Sequence, residues 1–293
     1  MTSTIKGAVI VNAYWRGGDA CAKEISERLS LVGLTAPLIK TTDLFAYIDG
    51  GARSSCPLDF AVFSDKDYAV ARLLEESGVR LFNGADAIRL ADDKMLTHLS
   101  LLQAGVPMPK TIPSPLFFAG EDDPFFLKNV VGELGFPLVV KNCFGAFGRQ
   151  VFLAHNEKEL FSLREKLLRE PHLYQEYIEC GASDIRVIVI GGKAVAAMRR
   201  KAAKEGEFRA NAELGGTGEK LELSAACASL AEKAASAIGL CYAGVDLIEK
   251  EGSYLLIEIN SNAHFKLIEQ VTGVSVAGKY AEYILREMTK TKR

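Results

Sequence analysis

Three oxygen-bearing side chains near the carboxyl end carry the first chemical signal: Asp246, Glu258 and Asn260, within Gly244 to Asn260. The segment reads as two apolar strands joined by a short turn around Gly252. If the strands pair antiparallel about Gly252, Asp246 faces Glu258, and Asn260 falls two residues further along the same face. Two carboxylates about 5 Å apart across a strand pair repel each other unless a proton or a cation lies between them. Two acids and an amide oxygen on one face form a hard, all-oxygen ligand set, suited to magnesium that also holds phosphate oxygens. The bland alternative is an amphipathic hairpin whose acids are solvated.

Other segments offer groups for a polyphosphate. Lys141 ends the apolar strand Phe136 to Lys141 and precedes a loop containing Gly145 and Gly148. A lysine at a strand end beside a glycine-containing loop can set one charge and several backbone N–H groups on phosphates. A plain hairpin turn is the competing reading, because neither a G-x-x-x-x-G-K-[ST] loop nor a G-x-G-x-x-G helix start is present. Tyr174 to Ile178, which includes Gln175, Glu176 and Tyr177, reads either as an edge strand facing an adenine rim or as a core strand. In the first case Glu176 takes the exocyclic amine. Asp184 and Arg186 share a face, as do Arg209 and Asn211. Arg209 suits a forked contact with a γ-phosphate or an acyl phosphate; a solvated surface arginine is its alternative. Lys94, one turn into a helix after Asp92-Asp93, either reaches a phosphate or pairs within its own helix. Arg199, Arg200 and Lys201, with Lys204 and Arg209, form a basic cluster without interleaved aromatics, which argues against nucleic acid.

The elements that must position these groups follow from periodicity. Lys6 to Ala13, Phe60 to Phe63 and Val79 to Phe82 read as buried strands; Asp19 to Leu31 and Asp67 to Ser77 read as helices. This alternation predicts an N-terminal α/β layer on a parallel sheet over residues 1–90. Asp92 to Ala104 reads as a linker helix, opening a small lobe over 91–180, and a C-terminal lobe with the acidic hairpin covers 181–293. Strands are expected at Pro137 to Lys141, Gln150 to Ala154, Leu173 to Ile178, Asp184 to Ile190 and Lys193 to Arg200, with a two-residue turn at Gly191-Gly192. Ser224 to Ile238 and Val276 to Glu287 read as helices, and the last four residues as a frayed tail.

Composition narrows the function classes. The chain has 293 residues, 48% hydrophobic and 25% charged, with a formal net charge of -2. That balance gives no electrostatic reason to expect a nucleic-acid or membrane-surface partner. No apolar run approaches a membrane span, and the N-terminus runs directly into a strand without signal-peptide character. Six scattered cysteines without a C-x-x-C pair point to reduced, mostly buried thiols and a cytoplasmic setting.

Taken in order, these segments resemble an ATP-grasp ligase of the RimK-type glutamate ligase family. The resemblance is carried by residues 137–141, 175–178, 184–197, 204–211, 243–246, 257–260 and 272–279, and covers the first ninety residues only as general architecture. It implies ATP with Mg2+ (or Mn2+) held between two antiparallel sheets. By matching position, Lys94 and Lys141 would contact phosphates, Glu176 and Tyr177 the adenine, and Asp184 the ribose side. Arg209 and Asn211 would reach the γ-phosphate, and Asp246, Glu258 and Asn260 match the metal ligands. The implied activity joins a small-molecule carboxylate to an amine through an acyl phosphate, adding glutamate or a related acid to a peptide, protein tail or coenzyme. A homo-oligomer is common among similar ligases. The family's Pro-Gly turn after the metal asparagine is replaced here by Ser261-Asn262-Ala263-His264, where His264 and Lys266 are candidates for a substrate carboxylate, as are Tyr14, Trp15 and Arg16 in the first loop. The alternative from another class is an ATP-binding regulatory or scaffold protein without ligation.

Overall fold

A computed structural model describes residues 5–14, 20–120, 123–145, 148–203, 207–210 and 215–290. The first layer is a parallel sheet of β1 (Gly7–Val11), β2 (Leu38–Lys40), β5 (Phe60–Ser64) and β6 (Arg80–Phe82), in the order β2-β1-β5-β6. All five residues of β1 are buried, because both faces are covered. Val9 and Val11 pack with α1 (Ala20–Leu31) and α9 (Val276–Lys290), while Ala8 and Ile10 pack with α2 (Tyr68–Glu76) and α3 (Ala85–Asp92). A separate hairpin, β3 (Ala46–Ile48) with β4 (Ala52–Ser54), lies beside this layer.

The helix predicted from Asp92 to Ala104 is present as α4 (Lys94–Gln103) but starts two residues later, set off from α3 at Asp93. Asp93 is extended and caps α4, its carboxylate accepting from the N–H groups of Met95 and Leu96. Asp92 belongs to α3, and Lys94 is the first helical residue rather than one turn in. The capping strength of aspartate decides the break.

Two antiparallel sheets follow. The smaller comprises β7 (Thr111–Pro113), β8 (Leu138–Asn142), β9 (Val151–Ala154) and β10 (His172–Glu176), in the order β7-β10-β8-β9. Leu138, Val140 and Tyr174 pack under α5 (Pro124–Leu134) and α6 (Glu157–Leu167). The period of two therefore turns Val139, Lys141 and Gln175 to the opposite side. The larger sheet comprises β11 (Ser183–Ile190), β12 (Lys193–Lys201), β13 (Thr217–Lys220), β14 (Tyr242–Lys250) and β15 (Ser253–Asn260), in the order β13-β12-β11-β14-β15. Ile185, Val187, Val245 and Ile259 pack on α7 (Ala225–Ile238), and Ile188, Ile190 and Tyr242 join the core shared with α1 and α9. The helix α8 (Lys266–Thr272) follows β15.

Two sequence expectations change here. Tyr174–Glu176 is not an edge, since β10 lies between β7 and β8. The thiols are less buried than expected: Cys143 and Cys227 are buried, and the other four are half-buried, all of them free. Among the described residues, no helix is long and apolar enough to cross a membrane.

Candidate active site between two sheets

The acidic hairpin pairs as expected, by a different route. Lys250 faces Ser253, so the turn is Glu251-Gly252, both with positive φ (52° and 77°), rather than a turn centred on Gly252. That register alone would oppose Asp246 to Ile257. A bulge between Leu256 and Glu258 inserts Ile257 and brings Glu258 opposite Asp246, with Asn260 opposite Gly244. Ile257 and Glu258 consequently both line a cleft of about 780 Å³, open to solvent, between the two sheets.

Cross-strand register orders the cleft floor into rows. Met198, Arg186, Asp246 and Glu258 share one row. On one side lie Arg200 and Asp184, paired with each other, and Ile248; on the other lie Ile188, Gly244 and Asn260. The roof supplies Val139, Lys141 and Gln175, and Lys94 enters from α4.

Charge on this floor is closely matched. Arg186 grips Asp246 with Nε on Oδ1 and Nη2 on Oδ2, the latter at 2.7 Å. Arg200 donates to both oxygens of Asp184, at 2.7 and 2.6 Å, and its Nη2 stands 2.9 Å from Asp246 Oδ2. Burial opposes ionisation of Asp246, but the two guanidiniums outweigh it and hold the carboxyl below its usual range. Sequence reading assigned Arg200 to a basic surface cluster. Alternation along β12 in fact turns it inward, while Arg199 and Lys201 pair with Glu249 and Glu219 outside.

The lysines are less well matched. Lys94 Nζ donates to the Gly145 carbonyl at 3.3 Å and lies 3.5 Å from Glu258. Lys141 is 7% exposed, and its ammonium makes no hydrogen bond among the described residues. Burial pushes its pKa down to about 8, with Lys94 adding repulsion and Glu258 opposing. Two ammonium groups thus share one carboxylate, leaving a net positive seat beside the acidic floor.

Other expected contacts are placed as follows. Gly145 and Gly148 turn carbonyls, not N–H groups, to their neighbours: Lys94 for the first, Arg209 Nη1 at 2.7 Å for the second. Arg209 lines the cleft with its fork on Glu207, at 2.8 and 2.7 Å. Glu176 receives the Lys110 N–H at 3.3 Å and approaches Lys250 at 3.4 Å; Tyr177 stacks edge-on with Phe208. Both line the cleft. Gln175 is buried, its amide donating to His98 Nε2 at 3.0 Å and to Thr111 at 2.9 Å. His98 Nδ1 in turn donates to the Lys94 carbonyl. Burial, reinforced by the two lysines, pushes the His98 pKa down to about 4 and keeps it neutral. His98 had no sequence signal beyond its helix position. Lys266 is engaged by Glu24 of α1 rather than facing the cleft. Tyr14 is exposed; Trp15, Arg16, Lys204 and Asn211 lie outside the described residues.

The donor chemistry admits a hard divalent ion. Among the described residues no three His, Cys, Asp or Glu side chains cluster as a metal site, so such an ion needs the Asn260 oxygen. The Asn260 amide makes no side-chain hydrogen bond among the described residues, Glu258 is held only at Oε1, and Asp246 Oδ1 carries a single arginine contact. Those open oxygens lie in adjacent positions of one face, which fits the ligand preference of magnesium.

A sequence profile of the RimK-like ATP-grasp domain matches residues 91–284. The chain belongs to the RimK-like ATP-grasp family. It is 40% identical over 220 residues to a probable alpha-L-glutamate ligase of Legionella pneumophila (strain Corby), covering 74% of this chain and 70% of that protein. It is 36% identical over 227 residues to beta-citrylglutamate synthase B of Danio rerio, covering 76% of this chain. Human N-acetylaspartylglutamate synthase A is 34% identical over 228 residues, or 77% of this chain. The match spans little more than half of these two synthases, 55% and 57% of their lengths. In fold, the chain resembles the ATP-grasp ligase PsnB complexed with minimal precursor, with TM-score 0.73, 19% identity, and 97% and 100% of the two chains covered. It also resembles D-alanine–D-alanine ligase from Bacillus anthracis, with TM-score 0.75, 18% identity and 98% of each chain covered.

Proposed function

We propose that this chain is an ATP-dependent carboxylate–amine ligase that forms an amide through an acyl phosphate and releases ADP and phosphate. The observation that carries the proposal is the Lys141 ammonium, which has no hydrogen-bond partner among the described residues, beside Lys94 and above the opposed Asp246 and Glu258. A buried cation without a hydrogen-bond partner is costly, and a phosphate oxygen supplies what it lacks. Lys94 and Lys141 hold the phosphates, Glu176 and Tyr177 the adenine end, and Asp184 the ribose side. Asp246, Glu258 and Asn260 would hold Mg2+, which supplies charge neutralisation and a template for the phosphates. Arg209, released from Glu207, meets the transferring phosphoryl group. The family relatives named above make glutamate the first amine to test, with a small acid or a peptide carboxylate as its partner.

The test is product analysis with ATP, Mg2+, citrate or N-acetylaspartate, and L-glutamate. ADP, phosphate and a new amide are expected only when acid and amine are both present. AMP with pyrophosphate, or ADP release indifferent to the acid, would refute the acyl-phosphate route.

A further inference from the structure

One amide of the roof presents its two ends in a fixed order. Gln175, in β10, lines the cleft beside Val139 and Tyr177. Its Nε2 donates to His98 Nε2 at 3.0 Å and to Thr111 Oγ1 at 2.9 Å. The Thr111 hydroxyl donates in turn to the Pro109 carbonyl at 2.9 Å, so toward Gln175 it accepts. His98 is buried, and its Nδ1 lies 2.6 Å from the Lys94 carbonyl. A carbonyl only accepts, so Nδ1 carries the imidazole proton. Burial keeps the ring neutral, which leaves Nε2 a bare acceptor.

Both protons of the Gln175 amide are thereby committed to His98 and Thr111. Half a turn of the amide would set Oε1 against two acceptors, the imidazole lone pair and the threonine oxygen. Oε1 itself makes no hydrogen bond among the described residues. Among them, the sealed side-chain oxygen that lacks a partner is Ser183 Oγ, so Gln175 Oε1 keeps access to the cleft. Glu176, the other acceptor at this end of β10, is already engaged: Oε2 receives the Lys110 N–H at 3.3 Å and Oε1 lies 3.4 Å from Lys250 Nζ.

We propose that His98 is a positioning residue for base selection: it holds the Gln175 amide with its oxygen toward the cleft, so that the site admits a purine carrying an amino group at carbon six and rejects one carrying a carbonyl there. This rests on the nucleotide site of the ligase reading above. The exocyclic amine of adenine donates to the waiting oxygen. The carbonyl of guanine would meet it lone pair to lone pair, and the amide cannot turn to offer its N–H groups instead. Thr111 alone would not enforce this, because its hydroxyl can rotate and donate to a turned amide. The imidazole cannot follow, since its proton is held on the Lys94 carbonyl. The first two turns of α4 thus supply Lys94 for the phosphates and His98 for the choice of base.

The experiment compares the unmodified chain with His98→Gln and His98→Glu, two side chains of one shape. A second amide pairs with Gln175 in either orientation, whereas a carboxylate only accepts. Calorimetry measures the affinities of magnesium-bound, non-hydrolysable ATP and GTP analogues, and their ratio is the readout. The unmodified chain should prefer the adenine analogue by at least about tenfold. His98→Gln should erase most of that preference, while His98→Glu should keep it within about threefold, even where the added charge weakens both analogues together. If the glutamine variant does not fold, His98→Leu replaces it with the same expectation, since leucine leaves the amide free to turn. Equal losses of both analogues, or parallel ratios in the glutamine and glutamate variants, would overturn the assignment and leave His98 a structural residue. Equal affinity of the unmodified chain for both analogues would overturn base selection alone. Binding of neither would overturn the nucleotide site itself, and this inference with it.

Discussion

Replacing Lys141 by methionine should stabilise the fold while removing nucleotide affinity. Its pKa falls from 10.5 to about 8 on burial. At about 1.4 kcal/mol per unit, the charged form costs the folded state about 3 kcal/mol below pH 8. The sign follows from linkage. Between pH 8 and 10.5 the unfolded chain holds the proton that the folded chain has lost, so stability rises with pH across that window. Lys141→Met removes the titration, so the variant should gain about 3 kcal/mol at pH 7, or roughly 5–10 °C in midpoint, and the gain should vanish by about pH 10.5. Urea midpoints of both proteins from pH 6.5 to 10.5 measure this difference. A bound phosphate should raise the Lys141 pKa, so binding near pH 8.5 takes up a proton and affinity falls as pH rises further, by at most about tenfold per unit. Calorimetry in buffers of different ionisation enthalpy counts that proton. A variant less stable at pH 7, or a difference independent of pH, would show that burial does not control this lysine.

Glu258→Ala should abolish acid-dependent ADP release, at least about 100-fold, while shifting the thermal midpoint by only a few degrees, because its ion pair to Lys94 is loose at 3.5 Å; near-normal turnover would remove Glu258 from the site. His98, folded with a pKa of about 4 against 6.5 unfolded, should make stability fall as pH drops from 6.5 to 4, by about 3 kcal/mol. His98→Asn should flatten that limb, and identical acid limbs in denaturation curves would count against it. Chelating divalent ions should leave the unliganded fold unchanged, since Arg186 and Arg200 already compensate Asp246. Added magnesium should then stabilise the fold only with ATP analogue present, by about 2.7 kcal/mol at 100 times Kd; a lower midpoint on chelation alone would contradict this.

The parts legible in the sequence were those governed by local period and turn chemistry. Buried strands such as Phe60–Phe63, the Gly191-Gly192 turn and the helix capped by Ser224 follow from neighbours a few residues away. Asp246 and Glu258 were correctly opposed, but only because a bulge at Ile257 compensates a turn displaced from its expected centre. What stayed hidden depends on distant partners. Asp246 is held by an arginine 60 residues earlier, and Gln175 by a histidine 77 residues earlier. Alternation in β12 would have turned Arg200 inward had the strand been weighed by face instead of as a basic run. Asp93 acts as a helix cap, which a run of helix-compatible residues conceals.

The site draws its opposite charges from elements that fold against separate cores. Lys141 is fixed by the small sheet under α5 and α6, whereas Asp246 and Glu258 belong to the large sheet on α7. Within the large sheet Asp184 and Asp246 are compensated by Arg186 and Arg200 of neighbouring strands, whereas Glu258 looks to Lys94. Among the described residues the small sheet has no such partner for Lys141, and Lys94 reaches Glu258 only loosely. The unmet demand therefore lies on the roof, and an anion entering between the sheets satisfies it while drawing roof and floor together. A polyphosphate with its cation is matched to both surfaces at once, which neither surface provides for the other.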